Sequence, residues 1–138
     1  MLNINGGNFY CPIFGGGYGV ADAKLSNTST ITTLSDMALI KGQSNVTING
    51  GTFYQNIYGG GDMAVVENKG NDATNITIGG DADIRGSVFA GGNGRTRRLS
   101  NQTFDAKVEN TQSPESVGKV IGNTNVTFTG STQQAPYI

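Results

Sequence analysis

The sequence predicts an all-β fold, a parallel β-helix (β-solenoid), and two observations lead to that prediction. One phrase returns three times: Ile-Asn-Gly-Gly at 4–7 and 48–51 and Ile-Gly-Gly at 78–80, each followed by an aliphatic residue, an aromatic residue and a short glycine cluster. The residues before each phrase alternate apolar with polar at a period of two, as in a strand with one buried face. A phrase that returns in this way marks a unit that buries its apolar face by stacking on the next copy.

Four strand starts are recognisable in the chain. They are Leu2-Asn3-Ile4, Val46-Thr47-Ile48, Ile76-Thr77-Ile78 and Val126-Thr127-Phe128. Units therefore begin near residues 2, 46, 76 and 126, at spacings of 44, 30 and 50 residues. Such unequal spacings fit short coils that carry loops of variable length on one side. The polar stretches 21–36 and 95–118 supply these loops.

Two connections indicate a third strand in each coil. Residues 40–45 align with 121–125 through Gly42 and Gly122, and each segment runs directly into the next strand start. Three short strands in each turn is the layout of a parallel β-helix. We therefore expect about three to four coils, in a single domain over 1–138 that is a fragment of a longer repeat array.

The glycines are expected at corners. A Gly-Gly pair after a strand predicts a turn with positive φ, which residues with a Cβ resist. Asn5-Gly6 and Asn49-Gly50 also match type I′ hairpin turns, so a β-meander is the alternative. The return of the whole phrase with its glycine cluster favours the β-helix.

The aliphatic and aromatic pairs predict columns along the stack. These pairs are Ile13-Phe14, Ile57-Tyr58 and Val88-Phe89. Equivalent side chains on neighbouring parallel strands lie about 4.8 Å apart. The aromatic column either fills the core or lies under loops, or else it points outward as a stripe for stacking sugars, since successive residues of a strand face opposite sides. The sequence leaves this open.

Composition excludes several classes of site. With 9 Lys plus Arg against 10 Asp plus Glu, the net charge of −1 gives no general attraction for nucleic acid. A single cysteine, Cys11, and no histidine exclude an intramolecular disulfide, Cys/His zinc sites and Ser/His or Cys/His catalysis. No segment is long and apolar enough for a membrane span. We expect no cofactor and no metal.

The positions of the acidic residues in the sequence do not predict an enzyme active site. Asp81 and Asp83 would share a strand face, but their Gly-rich context predicts a solvated turn rather than a metal or catalytic site. Asp22, Asp62 and Asp72 fall in different connections. Glycine-aspartate phrases also lack the nine-residue period of calcium-binding rolls. We therefore expect no catalytic residues.

One basic cluster, Arg95-Thr96-Arg97-Arg98, follows the third glycine cluster. It is either a solvated loop or a contact for an anion or an acidic glycan. Arg95, Arg97, Arg98 and Tyr58 are the candidate ligand-binding residues.

Five Asn-x-Ser/Thr sequons occur, at Asn27, Asn45, Asn75, Asn101 and Asn125. They read as glycosylation acceptors. For the three that precede strand starts, an asparagine ladder along the stack is the favoured explanation.

The repeated Val-Thr-Ile-Asn-Gly-Gly-Thr-Phe followed by Asn-Ile-Tyr-Gly-Gly-Gly resembles repeats of large bacterial surface and adhesin-like proteins of gut anaerobes. The resemblance covers Leu2 to Tyr18, Val46 to Asp62, Ile76 to Gly94 and a partial unit from Val126. It implies a right-handed parallel β-helix at the bacterial cell surface, outside the cell. The third unit departs from the repeat, because residues 81–85 read as an insertion before its second strand.

The functional expectation is a non-enzymatic adhesin or stalk scaffold that contacts a glycan or host-surface ligand through its loops. The alternative is a polysaccharide lyase-like or hydrolase-like β-helix that acts on acidic glycans, and an intracellular structural polymer is a third reading. Since an uncovered end of a β-helix exposes unpaired strand edges, we also expect end-to-end self-association.

Overall fold

A computed structural model describes residues 1–19, 38–94 and 118–130. Strands dominate these residues. In chain order they are β1 (Leu2–Phe9), β2 (Ile13–Phe14), β3 (Ile40–Lys41), β4 (Ser44–Phe53), β5 (Ile57–Tyr58), β6 (Val66–Ile84), β7 (Val88–Phe89) and β8 (Val120–Thr129). The expectation of an all-β chain is confirmed.

The strands form two sheets, and every strand pairing within them is parallel. The larger sheet has the order β1-β4-β6-β3, with β8 also paired to β6, and the smaller has the order β2-β5-β7. One of the sheets is curled into a half-barrel. Because hairpin-connected strands run antiparallel, the β-meander alternative is wrong for these residues.

The four strand starts lie in register. Leu2 pairs with Val46, Val46 with Ile76 and Ile76 with Val126. One position further along the face, Ile4 pairs with Ile48, and Ile48 with Ile78. The prediction that equivalent residues of successive units lie beside one another is confirmed.

Alternation along these strands separates the core from the surface. Val46, Ile48, Ile76 and Ile78 are buried, whereas Thr47 between the first two is partly exposed. Phe53, Ile57 and Val88 complete one continuous apolar cluster with them. Each fully buried aliphatic side chain stabilises the fold by about 1.5–3 kcal/mol. The core is therefore the interior of the stack, lined by both sheets.

The start of β6 was not anticipated from the sequence. Val66 and Glu67 pair with β3 on one side and with Val120 and Ile121 of β8 on the other, so they supply the missing middle member of the third strand series. Residues 68–71 then lie outside the register, which resumes at Asp72. This local irregularity lies in the shortest unit, between the starts at 46 and 76, so it does not account for the greater length of the other two units.

The expected insertion at 81–85 is wrong. Asp81, Ala82, Asp83 and Ile84 pair with 50–53 of β4, so they are the third unit's version of Gly-Gly-Thr-Phe. The register slips by one residue just before them, after Ile78. The expected solvated turn at Asp81 and Asp83 is wrong for the same reason, because both residues lie in β6.

Glycine serves two different purposes in the fold. Gly7, Gly51 and Gly80 follow the strand starts with φ of 110°, 111° and 58°, which confirms the expected positive φ, although all three lie inside β1, β4 and β6 rather than in turns between strands. In the glycine clusters the reason is space: a Cβ on Gly16 would lie 2.5 Å from the backbone nitrogen of Gly61 in the next unit. The glycines at 15–17 and 59–61 thus allow the backbones of neighbouring units to approach one another.

Buried hydroxyls connect the first strand series to these glycine clusters across the interior. Ser44 Oγ donates to the carbonyl oxygen of Gly59 at 2.9 Å, and Thr74 Oγ1 donates to that of Ala90 at 2.6 Å. Ser44 and Thr74 are register partners. The same polar contact is therefore built twice, once in each unit.

The predicted asparagine ladder is present. Asn75 Nδ2 donates to Asn45 Oδ1 at 3.0 Å, and Asn125 Nδ2 donates to Asn75 Oδ1 at 2.8 Å. A second pair joins Asn49 Nδ2 to Asn5 Oδ1 at 3.0 Å. These bonds explain why asparagine recurs before the strand starts. The remaining sequons, at Asn27 and Asn101, lie outside the described residues.

Candidate functional site

The predicted aromatic column exists, and it points away from the core. Phe14, Tyr58 and Phe89 stack with ring centroids 5.0 Å apart at both steps and interplanar angles of 9° and 12°. Their aliphatic neighbours Ile57 and Val88 are buried inside. Strand alternation places the aromatic rings on the opposite face, where Phe14 and Tyr58 are half-buried and Phe89 is 44% exposed.

The stacking limits what Tyr58 offers a ligand. Phe14 covers one face of its ring and Phe89 the other. Sugars that stack on aromatic residues need an open ring face, which Tyr58 lacks. Its edge and its hydroxyl remain, and the hydroxyl already accepts a hydrogen bond of 3.2 Å from Asn56 Nδ2.

Asn56 fixes the corner that carries the column. Its Oδ1 accepts a hydrogen bond of 3.0 Å from the backbone nitrogen of Ser87 in the next unit, while its Nδ2 binds Tyr58. The side chain therefore joins two units and orients the phenol at the same time. These two hydrogen bonds restrict the movement of the Tyr58 ring relative to the next unit.

A second outward column lies at the preceding corner. Tyr10 and Tyr54 stack with centroids 4.6 Å apart at 10°, and the guanidinium carbon of Arg85 lies 4.7 Å from the centroid of the Tyr54 ring. Phe9, Phe53 and Ile84 are register partners of one another, and each directly precedes one of these three residues. Arginine thus takes the place of a third ring, in a cation–π arrangement.

Asp83 holds Arg85 in this position. The Oδ2 atom of Asp83 lies 2.8 Å from one terminal guanidinium nitrogen of Arg85 and accepts a hydrogen bond of 2.9 Å from its Nε. The hydrogen bond and then the negative charge of Asp83 raise the pKa of Arg85 above its ordinary value, so the guanidinium stays charged. Tyr10 is 70% exposed. The site therefore presents a largely exposed tyrosine ring and an oriented ion pair, with the Tyr54 ring between them.

Sequence reasoning missed this second column. The repeated Phe-Tyr at 9–10 and 53–54 was a usable signal. The third member was hidden because Ile84-Arg85 shares no residue with that pair, and because 81–85 read as an insertion. The basic candidates Arg95, Arg97 and Arg98 lie outside the described residues.

Two other acidic residues, Asp62 and Asp72, have hydrogen-bond partners outside these columns. Asp62 is buried and accepts a hydrogen bond of 2.9 Å from Asn93 Nδ2. Asp72 accepts one of 3.4 Å from Asn123 Nδ2. Over 1–19, 38–94 and 118–130, no three His, Cys, Asp or Glu side chains group together as metal ligands. Nor does any helix in the described ranges have the length and hydrophobicity of a membrane span.

Comparisons with known proteins identify no family from which a function could be inferred. No protein-family model, no curated protein and no solved structure matches the chain. Its function must therefore be argued from the geometry above.

Proposed function

We propose that this chain is a non-enzymatic cell-surface repeat domain, an adhesin or stalk scaffold built as a right-handed parallel β-helix of about three to four coils. In this proposal it lies outside a bacterial cell, and its side surface and loops contact carbohydrate. The observation that carries the proposal is the like-on-like stacking along parallel strands: asparagine on asparagine, phenylalanine on phenylalanine and tyrosine on tyrosine.

The path of the second unit supports the β-helix. The chain runs through β4, then β5, then the first residues of β6, and each of these segments pairs in parallel with its counterpart in another unit. The glycines at 59–61 lie between the second and third of these segments. A coil of three strands with glycine-lined corners accounts for this path.

A stacked scaffold suits a mechanical or display role. In a solenoid each unit contacts only its neighbours, so length is added without a change in the side surface. Ladders and ring columns repeat along that surface at the separation of the strands. Ligand preference then depends on residues that break the repetition, and Arg85 is such a residue among the stacked aromatic positions.

The carbohydrate part of the proposal is supported by exposed aromatic surface next to charge. Tyr10 offers an open ring, Phe89 is partly exposed, and the Arg85–Asp83 pair lies beside Tyr54. Planar rings and bidentate guanidinium groups are common contacts for sugars and carboxylates. Arg95, Arg97 and Arg98 remain part of the proposed anion contact on the sequence argument.

The experiment is a glycan array that includes acidic polysaccharides, read at low and high salt. Binding by the intact chain should fall at high salt and should be lost when all three arginines at 95, 97 and 98 become glutamine. Tyr58→Phe is the matched variant that should bind normally, because only the hydroxyl is removed from a ring with covered faces. Full binding by the triple variant would contradict the arginine contact, and no binding by the intact chain would contradict the carbohydrate role.

The alternative function is a polysaccharide lyase-like or hydrolase-like domain that acts on acidic glycans. One observation favours it: a carboxylate, a guanidinium and a phenol meet at Asp83, Arg85 and Tyr54. Incubation with acidic polysaccharides and detection of new unsaturated or reducing ends tests it. Turnover that disappears in Arg85→Gln would establish the alternative and overturn the non-enzymatic proposal.

A further inference from the structure

Two outer strands of the larger sheet, β1 and β8, lack the usual protection of edge strands, whereas a third outer strand, β3, carries Lys41. Within the part of the chain that the structure describes, β1 pairs only with β4, and β8 pairs only with β6. Neither strand contains a charged residue or a proline. Natural sheets commonly place lysine or proline on open edges to prevent pairing with another chain. Both edges are therefore competent to accept a further strand.

Core positions are uncovered at the same two places. Leu2 is 36% exposed, although its register partner Val46 is 1% exposed and the next partner, Ile76, also 1%. At the other side Val126, which continues this row, is again partly exposed. A strand added to either edge would bury apolar side chains whose equivalents in the inner units are already buried.

The amide hydrogen bonds between units have one direction. In each of the pairs Asn49–Asn5, Asn75–Asn45 and Asn125–Asn75, the later residue donates through Nδ2 and the earlier one accepts through Oδ1. At the β1 side, Asn5 therefore uses its Oδ1 as the acceptor and keeps its Nδ2 as a donor. At the β8 side, Asn125 keeps an acceptor, its Oδ1. The two amides belong to different rows, because Asn125 continues the row of Asn45 and Asn75 whereas Asn5 shares its row with Asn49, so they do not pair with each other.

We propose that copies of this chain associate head to tail, with β8 of one copy pairing in parallel with β1 of the next. The pairing continues the existing register, so that Val126 lies beside Leu2 and Phe128 beside Ile4 of the second copy. This inference rests on the parallel stacking in the proposed function and is independent of any ligand. Because the contact is heterologous, it does not close on itself and adds copies along one axis.

A two-fold contact between identical edges fits less well. Two β1 strands related by a two-fold axis perpendicular to the stack would pair antiparallel, unlike every strand pair within the sheets. It would also bring the Asn5 donors of both copies to the same side. The head-to-tail contact repeats the geometry that the inner units already use.

The test is sedimentation velocity over a range of protein concentrations, with one lysine placed at either edge. Leu2→Lys charges the β1 side and Val126→Lys the β8 side, and both positions are exposed enough for a lysine to reach solvent. Gln55→Lys adds the same charge at an exposed corner position and is the control. Circular dichroism checks that each variant keeps its strands.

The intact chain and Gln55→Lys should form species that grow with concentration beyond a dimer, and each edge variant alone should stay monomeric. Mixed in equal amounts, the two edge variants should form a dimer and nothing larger, because one intact β8 edge meets one intact β1 edge. If either edge variant fails to fold, Asn3→Lys and Thr127→Lys place the charge on the same strands at exposed positions outside the core.

Several results would overturn the proposal. A strictly monomeric intact chain would do so while leaving the stacked scaffold in place. Loss of association in only one edge variant would indicate a two-fold contact through that edge. Association that survives in both edge variants would place the contact elsewhere, and a mixture that stays monomeric would exclude the head-to-tail arrangement.

Discussion

Asn75 donates a hydrogen bond of 3.0 Å from Nδ2 to Oδ1 of Asn45, a residue 30 positions earlier. It also accepts one of 2.8 Å from Asn125, 50 positions later. A single partly buried amide thus connects three units of the stack. Each unit length between these residues is different, yet the amides meet because the strands that carry them are in register.

Replacing Asn75 by alanine should therefore destabilise the chain more than replacing Asn125. Asn75→Ala removes two inter-unit hydrogen bonds, and a net contribution of about 0.5–1.5 kcal/mol for each predicts a loss of roughly 1–3 kcal/mol. Asn125→Ala removes one and should cost about half as much. Chemical denaturation of both variants measures the difference in unfolding free energy, and equal costs would contradict the ladder.

Two glycines of the glycine clusters, Gly60 and Gly91, should differ in how much stability they lose when replaced by alanine. A Cβ on Gly60 would lie 2.7 Å from the backbone nitrogen of Gly92, whereas a Cβ on Gly91 meets no heavy atom within 4 Å. Neither has a positive φ. Gly60→Ala should lower the unfolding free energy by about 1–3 kcal/mol, since backbone atoms cannot move aside cheaply. Gly91→Ala should stay within about 0.5 kcal/mol of the parent chain, and thermal denaturation distinguishes the two.

The buried hydroxyl of Thr74 offers an isosteric test. Thr74→Val keeps the shape but removes the donor to the carbonyl oxygen of Ala90, which predicts a loss of about 1–3 kcal/mol. Thr74→Ser keeps the hydroxyl and should recover most of the stability. If the valine and serine variants unfold at the same denaturant concentration, the hydrogen bond across the interior contributes nothing.

Tyr58 should matter to stability chiefly through its ring. Tyr58→Ala loses stacking on both sides, and aromatic pairs contribute about 0.5–1.5 kcal/mol each beyond the area they bury. Tyr58→Phe keeps both stacks and loses only the hydrogen bond from Asn56, so its cost should be about 0.5–1.5 kcal/mol or less. Equilibrium unfolding compares the two, and a phenylalanine variant as unstable as the alanine variant would show that the stacks are not what stabilises this corner.

Those parts of the fold in which the same residues recur in successive units were predictable from the sequence. Asn45, Asn75 and Asn125 mark the ladder directly, and the glycines at 7, 51 and 80 mark positions of positive φ that glycine adopts easily. Positions that are equivalent in the stack but carry different residues were not identified from the sequence. Asp81 takes the position of Gly50, because the Gly79-Gly80 pair follows Ile78 one residue sooner than Gly50-Gly51 follows Ile48.

Two further features of the fold do not follow from the sequence. Val66 belongs to the third strand series, but residues 68–71 separate it from the next strand start and break the spacing that identified the other members. The direction of the aromatic column followed only from which neighbour was buried, and Ile57 settles this by lying in the core. Spacing arguments fail at local irregularities of a strand, because one added residue reverses the face of each side chain that follows.

The parallel in-register stack is tested most directly by intramolecular disulfide formation between threonines on its surface, in a Cys11→Ser background that removes the native exposed thiol. Thr47 pairs with Thr77, and Thr77 with Thr127, so cysteines at either pair lie at the separation that a disulfide spans. Cysteines at 47 and 127 have β6 between them. With the strands in this register, we expect rapid monomeric cross-linking of the first two pairs in dilute solution and none of the third. Failure of both adjacent pairs, or efficient cross-linking of 47 with 127, would contradict it.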